Sequence, residues 1–156
     1  MIGADPTIGR MDATPPTLLD LSTYLLSKTG KTARERLATR LAAHDLRLWH
    51  MAVLAALADF GPHAQRDLAA RLGIDSSDLV RVIDDLAAAD RVERTRDTTD
   101  RRRVQVTLTP AGRTTLADLQ TEARIVQADL LAPLTPAEQA QLHALLLRVH
   151  LSADRP

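Results

Sequence analysis

The sequence predicts a mainly α-helical fold with one small β-hairpin. Three observations carry that expectation. Hydrophobic residues make up 45% of the 156 residues and aromatic residues only 2%, so the core must be aliphatic, and Leu and Ala favour helices. Apolar residues recur at three-to-four spacing along most of the chain. The exception is Arg91 to Thr109, where Val104, Val106 and Leu108 alternate with Arg103, Gln105 and Thr107, the period-two signature of a half-buried strand.

Residues 1–14 hold Gly, Pro, Asp and Thr without periodicity and are expected to be a disordered arm. A helix from Pro16 to about Ala43 follows, with Pro15 and Pro16 at its first turn, where a missing N–H costs nothing. Leu18, Leu21, Leu25, Ala33, Leu37 and Leu41 form its stripe. At 1.5 Å per residue it is roughly 40 Å long, too long for one small domain to cover. Gly30 costs about 1 kcal/mol relative to Ala, so Ser27 to Lys31 is the expected place for a bend or break. A second helix runs from Leu46 to Phe60 and stops at Gly61-Pro62, with Leu46, Val53, Leu54 and Leu57 as core. A third, His63 to Leu72, has a poor N-cap in His63 or Ala64 and is closed by Gly73. Asp75 caps a fourth, from Ser76 to about Ala89. Its residues Leu79, Val82, Ile83 and Leu86 share one buried face, and Ser76, Ser77, Val80, Arg81 and Asp84 lie on the other.

Two short helices joined through Gly73-Ile74-Asp75 make a helix-turn-helix. In that motif the second helix sets its N-terminal residues against base edges in the major groove. The hairpin comes next: Arg91 to Arg94 as one strand, Asp97-Thr98-Thr99-Asp100 as the turn, and Val104 to Leu108 as the other. Arg101, Arg102 and Arg103 lie just past the tip. Residues 46–108 thus read as a winged helix-turn-helix. Beyond it, Thr109 caps and Pro110 opens a fifth helix with a heptad-like seam of Leu116, Leu119, Ala123, Val126 and Leu130. Thr135 to Glu138 form a capping box for a sixth, whose apolar face is Leu142, Leu145, Leu146 and Val149. Residues 152–156 are a polar tail. Residues 15–45 and 109–151 carry more apolar stripe than the centre can cover, so they are expected to be dimerisation helices of a symmetric dimer.

Net charge is zero, but 18 of the 20 cations are Arg, and six of them fall between Arg91 and Arg103. With only Glu93, Asp97 and Asp100 against them, that window carries +3. No cysteine is present, which excludes disulfides, thiolate nucleophiles and cysteine-bound zinc. There is no run of 18 apolar residues and no apolar segment of a signal peptide at the N-terminus, so a cytoplasmic protein with no membrane partner is expected. No Gly-rich phosphate loop and no nucleophile–base constellation appear, so the chain does not read as an enzyme. His143 and His150, seven apart on one helix, do not make a metal site by themselves, and no cofactor is expected.

Leu68-Ala69-Ala70-Arg71-Leu72-Gly73-Ile74-Asp75, then Val82-Ile83-Asp84-Asp85-Leu86, then Asp100 to Gly112 (DRRRVQVTLTPAG) resemble the MarR family of bacterial transcriptional regulators. The wing signature, Asp-x-Arg before alternating apolar residues and Leu-Thr-x-x-Gly, is the most specific part. The resemblance covers roughly residues 18 to 150. It implies a homodimer on a pseudo-palindromic double-stranded operator, with recognition helices in successive major grooves and wings in adjacent minor grooves. It also implies a small-molecule effector, aromatic or phenolic, in a cleft between the dimer helices and the DNA-binding lobe. Matched position by position, Arg102 is the minor-groove arginine, Asp100 the residue that orients it, and Arg81 a DNA-contacting position on the recognition helix. Two residues depart from the pattern. Asp85 stands where the family often has Arg, and Asp78 where it often has Thr or Ser.

The DNA-contacting set is then Ser76, Ser77, Val80 and Arg81 on the recognition helix and Arg101, Arg102 and Arg103 on the wing. Arg103 touches a phosphate or serves solubility. Gln65 and Arg66 meet either a phosphate or solvent. Tyr24, Trp49 and His50 are the candidates to line the effector cleft, against the plainer reading that Trp49 simply packs. Between Ser76 and Asp90 one cation, Arg81, faces Asp78, Asp84, Asp85 and Asp90, a net charge of −3. Acids repel phosphates, so DNA binding should lean on the wings and show a modest salt slope. Asp85 and Asp90 are expected to pair with Arg91 or face solvent. The function expected is a ligand-released DNA-binding repressor. The rival reading, motivated by the acidic helix, is a winged-helix module for protein interaction or ligand binding with weak or no DNA affinity.

Overall fold

The computed structural model describes residues 14–153; the expected arm and most of the tail lie outside them. The elements in chain order are α1 (Pro16–Leu19), α2 (Ser22–Ala42), α3 (Leu48–Phe60), α4 (Gln65–Leu72), α5 (Ser76–Ala88), β1 (Val92–Arg96), β2 (Val104–Leu108), α6 (Pro110–Leu130) and α7 (Pro136–Ala153). The chain divides into two compact units that meet within α2, between Arg36 and Leu37.

In the first unit the long helix breaks, but at Asp20-Leu21 rather than near Gly30. The Asp20 N–H reaches back to the carbonyls of Pro16 and Leu18, and the Leu21 N–H to Leu18. This tight turn closes α1 before α2 begins. Gly30 stays helical, with open space around it.

The second unit is built around α3, which packs against α4, α5, α6 and β2. Leu41, Val53, Leu54, Leu57, Leu68, Leu79, Ile83, Leu86, Val106 and Leu119 are almost fully buried. The apolar faces read for residues 46–108 therefore converge on one core, joined by Leu41 and Leu119. Gly73, at φ 62°, ends α4 in the left-handed conformation that glycine adopts without strain. The Asp75 carboxylate then caps α5 by accepting from the Ser77 N–H at 2.8 Å. Asp90 sits in the left-handed region just beyond α5, and the Arg91 N–H closes the helix on the Leu86 carbonyl at 2.9 Å. Thr109 Oγ1 accepts from the Gly112 N–H at 3.0 Å and donates to the Asp90 carbonyl at 2.5 Å, so one cap ties α6 to the end of α5. Arg40 and His44 both reach Glu122 on α6, which holds its carboxyl below the ordinary range, chiefly through the Arg40 hydrogen bond.

Two expectations about strands need correction. His63 does not belong to α4. Its N–H and C=O pair with Val106 at 3.2 and 2.7 Å, adding a bridge to the free edge of β2. Its ring Nδ1–H donates to the Gly61 carbonyl at 2.8 Å, which fixes it ahead of the helix. Val104 is not buried like Val106 and Leu108 but 52% exposed. It pairs with Arg96 at the turn end of the ladder, where the hairpin has run beyond the core.

The capping box at α7 forms as expected. The Thr135 N–H donates to Glu138 Oε2 at 2.8 Å, and the Glu138 N–H returns to Thr135 Oγ1 at 3.3 Å. Yet α7 buries no residue: Leu145, Leu146, Leu147, Val149 and Leu151 are all exposed.

Candidate nucleic-acid interface

The recognition helix α5 presents Ser76, Ser77, Val80 and Arg81 on its exposed side. Val80 is 42% exposed and so accessible on that side. Arg81 has no ion-pair partner among the described residues. The Ser77 hydroxyl is engaged, donating to Asp75 Oδ1 at 2.5 Å.

The wing tip is built by two aspartates. Asp97 Oδ1 accepts from the Thr99 N–H and hydroxyl at 2.8 and 2.7 Å, and these bonds lower its pKa. Asp100 Oδ1 accepts from the Arg102 N–H at 3.0 Å. Asp100 thus holds the Arg102 main chain; its second oxygen lies 3.7 Å from Arg103 Nε. Backbone bonds from Asp97 N–H to the Arg103 carbonyl and from Arg103 N–H to the Asp100 carbonyl close the turn. Arg96, Arg101 and Arg102 are exposed and carry no ion pair among the described residues.

Two of the three acids of α5, which count against DNA affinity by charge alone, have cationic partners; Asp78 has no ion pair among the described residues. Asp84 accepts from Arg94 Nη2 at 2.5 Å, and Arg94 Nε also donates to Gln65 Oε1 at 3.1 Å. Asp85 does not pair with Arg91. Its Oδ2 accepts from Arg47 Nη2 at 3.2 Å and lies 3.1 Å from His50 Nε2. Arg91 instead uses its main chain to close α5, and its carbonyl accepts from the Thr109 N–H. Gln65 keeps its amide hydrogens as donors, and Arg66 is exposed at the same end of α4. Arg94, Arg47 and the role of His50 escape sequence reasoning because their partners are 10 to 38 residues away. In the sequence, only the adjacent acids Asp84 and Asp85 on the expected recognition helix mark the place where they arrive.

Of the three residues expected at an effector cleft, Tyr24 lies in the first unit, under Lys28 Nζ at 5.5 Å. Trp49 is 42% exposed and its neighbour His50 only 2%, so these consecutive positions on α3, about 100° apart around the axis, have different surroundings. The expectation for His50 meets a ring whose two nitrogens are both bonded, Nδ1 accepting from the Arg47 N–H at 2.9 Å. An open groove of about 490 Å³ between α6 and α7, lined by Leu131, Leu142, His143 and Leu146 among others, is more apolar. Among the described residues no group of three His, Asp or Glu could hold a metal ion, and no helix is long and apolar enough to cross a membrane.

Burial, above all, pushes the His50 pKa below its ordinary 6.5; the Asp85 hydrogen bond opposes that, and the Arg47 and Arg91 charges add to it. In the unfolded chain histidine titrates near 6.5. As pH falls below about 6.5, the unfolded state takes up a proton the folded state refuses, so stability declines with acidity. Urea midpoints measured from pH 8 to pH 5 should fall across that window, and His50→Gln should flatten the fall. An equal slope in both proteins would contradict the neutral, buried ring.

Residues 44–103 match the family model described as MarR family. No curated protein sequence matches the chain. Among solved structures, a protein from Pseudomonas aeruginosa described as a probable transcriptional regulator is 30% identical, with a TM-score of 0.69 over 85% of this chain and 98% of that one. BpsR of Bordetella bronchiseptica, whose DNA binding is regulated by 6-hydroxynicotinic acid, is 26% identical, with a TM-score of 0.70 over 88% and 96%. A cysteine-to-serine mutant of E. coli MarR in complex with operator DNA is 25% identical, with a TM-score of 0.66 over 80% and 90%.

Proposed function

Because this chain belongs to the MarR family of winged helix-turn-helix transcriptional regulators, we propose that it is a cytoplasmic, homodimeric repressor that binds a palindromic DNA operator and is released from it by a small aromatic or phenolic molecule. One observation carries the DNA-binding part. The acids Asp84 and Asp85 are offset by Arg94 and Arg47, while Arg81, Arg96, Arg101 and Arg102 stay exposed on the recognition helix and wing with no ion pair among the described residues. On the helix Asp78 is left to oppose Arg81, so it is the wing arginines that make the surface offered to phosphate positive, although the helix is acidic by composition. The same pairing weakens the rival reading of an interaction module, whose motive was the uncompensated acidic helix.

The exposed leucines of α7 support the dimer. A leucine-rich helix that buries nothing in its own chain needs a partner surface, and a second copy supplies one by symmetry. The regulation of BpsR by 6-hydroxynicotinic acid supports an aromatic effector. A ligand that binds better to a dimer with misplaced recognition helices lowers DNA affinity by that difference alone. Trp49, exposed on α3, is proposed to take part in that site.

Selection from random duplexes with the full chain tests the reading. The expected product is a palindromic consensus, bound with a log–log salt slope of about −5, as for two or three phosphates per protomer. Sedimentation should report a dimer. Selection that enriches nothing, with no duplex binding even at low salt, would sink it.

A further inference from the structure

We propose that His50 is a positioning residue for DNA recognition: its Nε2–H, aimed by the bond that Nδ1 accepts from the Arg47 main chain, holds Asp85 and thereby fixes the roll of the recognition helix about its own axis. The inference rests on the DNA-binding reading.

The hydrogen bonds determine the tautomer. The Arg47 N–H donates to His50 Nδ1 at 2.9 Å, so that nitrogen carries no hydrogen. A neutral ring must then carry it on Nε2, which points at Asp85 Oδ2, 3.1 Å away. The ring is 2% exposed and cannot swing. Arg47 also reaches Asp85, but its side chain is 68% exposed, and such a pair contributes little by itself. The rigid half of the grip is His50.

A second grip lies one residue away. Asp84 is held by Arg94 of β1, which Gln65 of α4 steadies from behind. Consecutive helical residues are about 100° apart around the axis. Asp85 is therefore tied to α3 and Asp84 to the wing in different directions, and the two ties narrow the small rotation that the buried Leu79, Val82, Ile83 and Leu86 leave to the helix. The matter is not trivial for base reading. Side-chain ends lie about 6 Å from a helix axis, so a 20° roll would move Arg81 or Val80 by roughly 2 Å, enough to lose a bidentate base contact. On this view the departure at Asp85 is no handicap. It exchanges one phosphate-attracting position for a defined helix orientation.

The test uses the consensus duplex from the selection above and measures the ratio of its affinity to that for random duplex at one salt concentration. The ratio cancels the general effect of charge. His50→Gln keeps a donor near the Nε2 position and His50→Asn an acceptor near Nδ1. The expected result is a ratio within about twofold of wild type for His50→Gln and about tenfold lower for His50→Asn, the size of one hydrogen bond to a charged group. Asp85→Ala, which removes the acceptor of the His50 Nε2–H but no core side chain, should show the same tenfold drop. If His50 only caps α3, the order reverses: Asn keeps the ratio and Gln loses it. A wild type that selects sequence but keeps its ratio on Asp85→Ala overturns the proposal alone. A wild type with no sequence preference overturns the DNA-binding reading, and the proposal with it.

Discussion

Replacing Gly112 by alanine lowers the stability of the protein by about 3 kcal/mol, seen as a lower urea midpoint at unchanged slope. Gly112 is the third residue of α6, against the start of the wing. A Cβ there would stand 2.0 Å from the Arg91 carbonyl oxygen and 2.6 Å from Leu108 Cδ1. The leucine could rotate; the carbonyl cannot, since it accepts from the Thr109 N–H at 3.2 Å and follows the Arg91 N–H that closes α5. Relief would have to lift α6 off the wing and break the Thr109 cap on the Asp90 carbonyl. Helix propensity works the other way, favouring alanine by about 1 kcal/mol. Gly30→Ala supplies the control. With nothing within 4 Å of its Cβ, it should stabilise by up to about 1 kcal/mol. A neutral or stabilising Gly112→Ala would mean that α6 and the wing are not locked together.

Arg102→Ala weakens operator binding by about 1–3 kcal/mol per wing with no change in unfolding midpoint. Arg102 is exposed, and its side chain makes no hydrogen bond or ion pair among the described residues, whereas its N–H stays on Asp100 in the alanine variant. Arg103→Ala should cost less, because Arg103 already lies within reach of Asp100 and gives up part of that attraction on meeting DNA. Gel-shift titrations of both variants on the selected duplex separate the two positions. Equal, negligible losses would remove the wing from the interface.

Much of this was legible in the sequence because it depends on neighbours. Asp75, Thr109 and the Thr135–Glu138 pair announce helix starts through bonds that span two or three residues. Period-two alternation located β2, and Gly73 located the turn between α4 and α5. The failures also have causes. The break at Asp20-Leu21 depends on the closing of one helical turn, not on a poor helix former such as Gly30. The alternation of Val104 with Arg103 says which residues share a face, but not where the core under that face ends. The ties of Asp84 and Asp85 join segments distant in sequence, and no local pattern marks their partners. Net charge along the helix suggested repulsion because it could not count cations arriving from elsewhere.

The aspartate-built wing tip has a kinetic consequence. Asp97 and Asp100 bond the main chain of Thr99 and Arg102 within the turn itself, so its backbone order does not depend on DNA. A loop that had to freeze on contact would lose conformational entropy in each encounter, at about 1–2 kcal/mol per residue. Here that entropy is already lost on folding, and only the arginine side chains remain to be immobilised. Encounters in the right orientation can then proceed without a folding step, which places the association rate under the control of diffusion and charge steering rather than loop rearrangement.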